Sequence, residues 1–130
     1  MPRKSKKMVI KSKIWIEDEK GAMIFGVGRL KILKAVKKHG SILAAAKSLQ
    51  MSYRAAWGKI KTTEQRLGKP LLTRRVGGIS GGGSELTPFA EALIKKFEWL
   101  QSFVEKEADV FFGKHFNVES ANQNDPDNKQ

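Results

Sequence analysis

The sequence predicts a mainly α fold with a small β component, in which two helices meet at a tight turn and a β-hairpin follows them. Three observations predict it. Two short segments of helical apolar spacing, Ile42–Leu49 and Ala56–Leu67, lie a few residues apart, and each opens on a serine. A glycine-rich stretch, with five glycines between Gly77 and Gly83, is flanked closely by leucines and leads into a Thr-Pro step. The charge is one-sided: between Arg29 and Arg75 stand thirteen Lys/Arg against the single acid Glu64, in a 130-residue chain of net charge +12.

Each element can be justified in chain order. Residues 1–12 form a basic arm, expected to be flexible, without the apolar core of a signal peptide. Residues 13–26 read as a β-hairpin: Ile14 and Ile16 alternate along one strand, Glu17–Gly21 supplies turn residues, and Ala22–Phe25 returns. From Arg29 the period becomes helical through Leu30, Leu33 and Val36, with Ile32 filling in, and Gly40 stands where a helix ends. Ser41 is placed to cap a second helix, whose Ile42, Ala45, Ala46 and Leu49 make one buried stripe. Its alanines allow a neighbouring helix to cross closely. Gln50-Met51 makes a short break, and Ser52 caps a third helix that runs to Leu67-Gly68. Two helices, a tight turn and a basic second helix make a helix-turn-helix.

The glycine stretch completes the picture by elimination. A phosphate loop of the Walker type needs a lysine after its glycines, and none follows here; a dinucleotide loop opens a helix directly, whereas Ser-Glu-Leu intervenes. A free linker fits poorly between apolar flanks. A hairpin between Leu71-Leu72 and Leu86 fits best, which is the wing of a winged helix-turn-helix, with residues 13–87 as its domain. Thr87 then caps a long helix with Pro88 at its first position. Over residues 88–112, Phe89, Leu93, Phe97, Leu100, Val104, Ala108 and Phe111 recur every three or four residues. A seam that long on a small domain calls for a partner, most simply its own copy, so a homodimer is expected with Phe89, Leu93, Phe97, Leu100, Val104 and Phe111 at the interface. Residues 113–130 turn polar and are expected to form a disordered tail.

Composition narrows the function classes. Forty per cent hydrophobic residues suffice for a core, and the absence of cysteine removes disulfides, thiolate metal sites and cysteine nucleophiles. No apolar run approaches the ~20 residues of a membrane helix, so a cytoplasmic protein without membrane contact is expected. The two histidines, His39 and His115, have no partner at ligand spacing, and no constellation suggests catalysis: neither an enzyme nor a cofactor is expected. A one-sided basic block is instead the footprint of a polyanion binder.

A helical wheel of Ser52–Leu67 at about 100° per residue puts Ala56, Ile60, Thr63 and Leu67 on the core side. Arg54, Gly58, Lys61 and Gln65 fall opposite, with Trp57 on one flank and Tyr53 near the core edge. Arginine can pair bidentately with guanine, lysine can reach a phosphate or base acceptor, and glycine admits close approach to a groove. Gly58 asks for such a reason, because glycine inside a helix costs about 1 kcal/mol relative to alanine. Double-stranded DNA is therefore the expected partner. Its contacts are expected at Ser41, Ser52, Tyr53, Arg54, Trp57, Gly58, Lys59 and Lys61, and in the wing at Arg74, Arg75, Ser80, Gly82 and Ser84.

The runs GRLKILKAVKKHGSILAAAKSLQMSYRAAW, LGKPLLTRR and GGISGGGSELTP resemble the N-terminal DNA-binding domain of the molybdate-responsive regulators of ModE type, within the wider LysR-like winged-helix group. The resemblance covers roughly residues 13–100, and Ser52–Trp57 with Gly77–Leu86 are its most specific parts. It implies a homodimer that pairs through the long helix and binds a palindromic operator with the third helix. It also implies DNA contact at Ser52–Arg54, Trp57-Gly58 and around Arg74–Ser84, and a link to molybdenum metabolism. Full-length members continue into molybdate-binding modules; the polar tail here leaves no room for one, so no molybdate binding is expected within this chain. A sequence-indifferent architectural DNA-binding protein is the alternative reading, and a module that recruits a different protein through the long helix is a third.

Overall fold

Glycine ends two of the helices for a conformational reason. Gly40 and Gly68 follow α1 (Val27–His39) and α3 (Tyr53–Leu67) in the left-handed region, with φ of 85° and 69°, where a β-carbon is costly. The computed structural model describes residues 7–76 and 83–116. Before α1 come β1 (Trp15–Glu17) and β2 (Met23–Gly26); between α1 and α3 lies α2 (Ile42–Ser48). After α3 come β3 (Leu72–Arg75), β4 (Gly83–Leu86) and α4 (Pro88–His115). Residues 14–98 form one compact unit, and the described parts of residues 1–13 and 99–130 belong to a second.

Within the first unit, β1 and β2 pair antiparallel with Ile16 opposite Phe25, and the register shifts after Ile16. The turn between them is organised by Asp18, whose carboxylate accepts the amides of Lys20 and Ala22 at 2.8 and 2.9 Å. β2 runs into α1 without a loop. That is why α1 begins at Val27, two residues before the start expected from its apolar spacing, and why Gly26 precedes it without a side-chain cap. β3 and β4 pair antiparallel in the register Leu72↔Leu86 to Arg75↔Gly83.

The core is built from β2 and the four helices, while β1, marked by the alternation of Ile14 and Ile16, is exposed. Phe25 of β2, Leu33 and Val36 of α1, Ala45 and Ala46 of α2, Ala56 and Ile60 of α3, and Leu71 are buried together with Ala90, Ile94 and Phe97 of α4. Phe25 and Phe97 meet edge to face, 5.1 Å between centroids, a favoured aromatic geometry. Thr63 is buried without penalty, since its hydroxyl donates to the Lys59 carbonyl at 2.8 Å and accepts from Arg29 Nε at 2.9 Å. Leu67, expected in this core, is only half-buried and stands outside the cluster.

All three side-chain caps anticipated from the sequence are made. Ser41 Oγ accepts the Ala44 amide and Ser52 Oγ the Ala55 amide, both at 3.0 Å. Thr87 Oγ1 accepts the Ala90 amide at 3.1 Å and donates to the Pro70 carbonyl at 2.9 Å. The long helix runs past Phe112 to His115, so Gly113, Lys114 and His115, expected to open the tail, are helical. Residues 1–6 of the arm and 117–130 of the tail lie outside the described residues. Among the described residues, no helix is long and apolar enough to cross a membrane.

Candidate nucleic-acid interface

Helix α3 turns its core stripe inward through Ala56, Ile60 and Thr63, and the opposite side is left to solvent. That side carries Arg54, and two partly exposed aromatic rings one turn apart lie between it and the core stripe: Tyr53 is 48% exposed and Trp57 44%. Tyr53, expected near the core edge, is thus half-exposed. A β-carbon at Gly58 would meet no atom within 4 Å, so packing gives no reason for a glycine there. Lys59 is exposed. Lys61 is exposed but occupied: its ammonium lies 5.8 Å from the centre of the Trp57 ring and 3.2 Å from the Glu64 carboxylate. The second oxygen of Glu64 accepts the Leu71 amide at 2.7 Å. The one acid of the basic block thus ties α3 to the entry of β3.

The start of α2 and the base of the wing meet at a single carbonyl. Gly40, the residue before the Ser41 cap, accepts the Ser84 amide at 2.8 Å and the Arg75 guanidinium at 3.5 Å. Arg74 and Arg75 follow each other on β3 and therefore point to opposite faces of the hairpin. Arg75 faces the α1–α2 corner, and Arg74 is exposed on the other face with no hydrogen bond or ion pair among the described residues. Arg75 is thus partly engaged within the fold, while Arg74 is not, among the described residues. Ser80 and Gly82 lie outside the described residues.

The structure also separates structural cations from open ones within the block. Arg29 is half-buried on Thr63, and burial, with Arg66 beside it, holds its pKa below the usual arginine value. Arg66 donates to the Met23 carbonyl. Lys34 and Lys37 pair with Glu98 and Glu91 of α4, at 2.5 and 2.9 Å. Lys31, Lys38, Lys47, Arg54, Lys59 and Lys69 have no such partner among the described residues. Leu43 of α2 is exposed beside Lys47, one turn away. Sequence reasoning passed over it because an isolated leucine beside a buried stripe carries no signal of its own.

The α4 residues expected at a dimer interface divide. Phe97 is 2% exposed and packs on Phe25, so it is a core residue and is not available to a partner; its spacing fits both roles, and only the packing distinguishes them. Leu93 packs partly on the same core. Phe89, Leu100 and Phe111 are exposed, and Val104 is half-buried. The most exposed rings on the later part of the helix are ones the seam did not include, Trp99 at 77% and Phe103 at 63%, with Val110 exposed on the same face seven residues after Phe103.

Comparison with known proteins gives a consistent answer. Residues 27–91 match the bacterial regulatory helix-turn-helix proteins of the lysR family. The transcriptional regulator ModE of Haemophilus influenzae is 36% identical over 80 residues, 62% of this chain and 31% of that protein. The molybdenum-pterin-binding protein MopB of Rhodobacter capsulatus is 36% identical over 96 residues, 74% of this chain and 35% of that protein. The chain thus spans about a third of the length of these relatives. Among solved structures, the CbnR_DBD–DNA complex superposes with a TM-score of 0.50 at 26% identity, covering 66% of this chain and 93% of that one.

Proposed function

The chain belongs to the bacterial regulatory helix-turn-helix proteins of the lysR family, and on that premise we propose that it is a sequence-specific regulator that binds a palindromic operator as a homodimer. Helix α3 enters the major groove, with Tyr53, Arg54, Trp57 and Gly58 towards the base edges and Lys59 towards phosphate. Ser41 and Ser52 bring two capped helix starts near the backbone, where unpaired amides favour phosphate. Arg74 is the phosphate contact of the wing base. The dimer forms through the exposed apolar side of α4, including Phe89, Leu100 and Phe111, with Trp99 and Phe103 added to that set. A cytoplasmic location and a place in the control of molybdenum-related genes are part of the same reading; the latter is supported by the named functions of the relatives.

The observation that carries this reading is the outward face of α3, which presents an arginine, two half-exposed rings and a glycine unconstrained by packing. A solvated face serving only solubility would mix charges and keep aromatic rings inside. Selection of bound sequences from a random DNA pool tests it. A palindromic winner preferred about 10³-fold or more over random DNA supports the regulator, and a flat response favours the sequence-indifferent alternative. Sedimentation tests the dimer: wild type should sediment as a dimer. Phe103→Glu, which puts a charge on the exposed apolar face of α4, should weaken it by at least the ~2 kcal/mol of a buried aromatic anchor.

A further inference from the structure

One of the points at which the wing is fastened to the helix-turn-helix is crowded. The Gly40 carbonyl lies against β4, where it accepts the Ser84 amide at 2.8 Å and the Arg75 guanidinium at 3.5 Å. Its direction is set by the left-handed turn of Gly40, whose own amide closes α1 on the Val36 carbonyl at 2.7 Å. Opposite stands Gly83. A β-carbon there would be 2.4 Å from the Gly40 oxygen and 2.6 Å from Arg75 Nη2. Gly83 is the first residue of β4, paired with Arg75, and the crowding around a β-carbon is reason enough for a glycine there. To relieve the backbone contact, the strand and the corner would have to part from 2.4 Å to the 3.4 Å at which ordinary contact begins, and the Ser84 bond would be lost.

We propose that Gly83 is a positioning residue for DNA recognition: it admits the Gly40 carbonyl against β4, so that the wing base and the start of α2 are offered to DNA as one fixed surface. The two arginines of β3 then have separate tasks. Arg75 closes the junction, and Arg74, on the opposite face of the strand, is left for phosphate. Ser84, expected to contact DNA, contributes its amide to the junction. The proposal rests on the DNA-binding reading above, and its test keeps the two apart.

The full chain and its Gly83→Ala variant are compared on the selected DNA site by hydroxyl-radical footprinting and by affinity across a salt series. The variant should lose protection at the flanks of the site while the protection due to α3 remains. Its plot of log affinity against log salt should flatten by about one for each phosphate released, with base preference unchanged. In unbound wild type, hydrogen exchange at the Ser84 amide should be strongly slowed, a measurement that holds even where the variant fails to fold. A variant with wild-type footprint and salt slope overturns the positioning role, and Ser84 exchange at the free-peptide rate overturns the junction itself. A wild-type chain that binds no DNA overturns the DNA-binding reading, while Ser84 exchange still reports on the junction.

Discussion

Gly58 is the residue where stability and recognition make opposite demands. A methyl group there touches nothing within 4 Å, so Gly58→Ala should stabilise the free protein by about 1 kcal/mol, read as a rise in the thermal midpoint. If a DNA groove approaches that face closely, the same methyl group weakens operator binding, so a higher melting point with a poorer Kd is the expected pair of results. An improved melting point with unchanged Kd would separate Gly58 from the interface. Asp18 makes a second residue-scale prediction. Hydrogen bonds from the Ala22 amide, and then from that of Lys20, hold its pKa below the ordinary 3.8. A depressed carboxylate contributes its stability fully above pH 3.8 and loses it as pH falls through the lowered value. The amide signals of Lys20 and Ala22 should therefore shift together in an acid titration with a midpoint below 3.8, and Asp18→Asn should abolish the shift. Gly58 was legible in the sequence as an anomaly, a glycine where a helix does not want one. Gly83 was not, because among five clustered glycines nothing in the sequence marks the one that faces a carbonyl.

At the scale of elements, the turn between α2 and α3 shows what spacing reveals and what it hides. The break at Gln50-Met51 was evident; its geometry was not. The Met51 amide returns to the Ala46 carbonyl at 3.0 Å and that of Gln50 to Lys47 at 3.1 Å, which is the paired bonding of a Schellman motif. Gln50 takes the left-handed position with φ of 57°, a place where a non-glycine residue costs roughly 1–2 kcal/mol. Gln50→Gly should relieve that strain at some cost in unfolded-chain entropy, for a net gain of about 0.5–1 kcal/mol in chemical denaturation. A loss of stability would mean that the Gln50 side chain contributes more than its backbone costs. Helix α4 carries the complementary lesson. A recurrence of three and four residues finds an apolar side of a helix, yet it cannot say whether that side faces its own domain or another chain. Phe97 was placed with the interface because it keeps step with Leu93 and Leu100; its ring is in the core, against Phe25. Trp99 and Phe103 fell outside the chosen step and are the most exposed rings of the helix.

For the molecule as a whole, the net charge of +12 describes a capacity, and the structure divides it by use. Thirteen cations in one block suggest a surface that attracts any polyanion, but several of them are already engaged within the fold: Arg29 on Thr63, Arg66 on the Met23 carbonyl, Lys34 and Lys37 in exposed pairs with α4. The sequence could show the excess of cations, since charge is additive. It could not show the division, because a partner thirty or sixty residues away is visible only in the fold. The division has a measurable consequence if the chain binds DNA as proposed. Each phosphate contact removed should lower the slope of log affinity against log salt by about 0.9 per protomer. Arg74→Ala should therefore flatten the salt dependence and leave the unfolding free energy within about 0.5 kcal/mol of wild type, as for other exposed sites. Arg29→Ala should do the reverse. It leaves the buried Thr63 hydroxyl without its donor and should lower stability by about 1–3 kcal/mol, with the salt slope unchanged, since a guanidinium turned into the domain releases no counterion when DNA binds. Equal slopes for wild type and Arg74→Ala would remove the wing base from the interface, and a flattened slope for Arg29→Ala would show that the charges act as an undivided field.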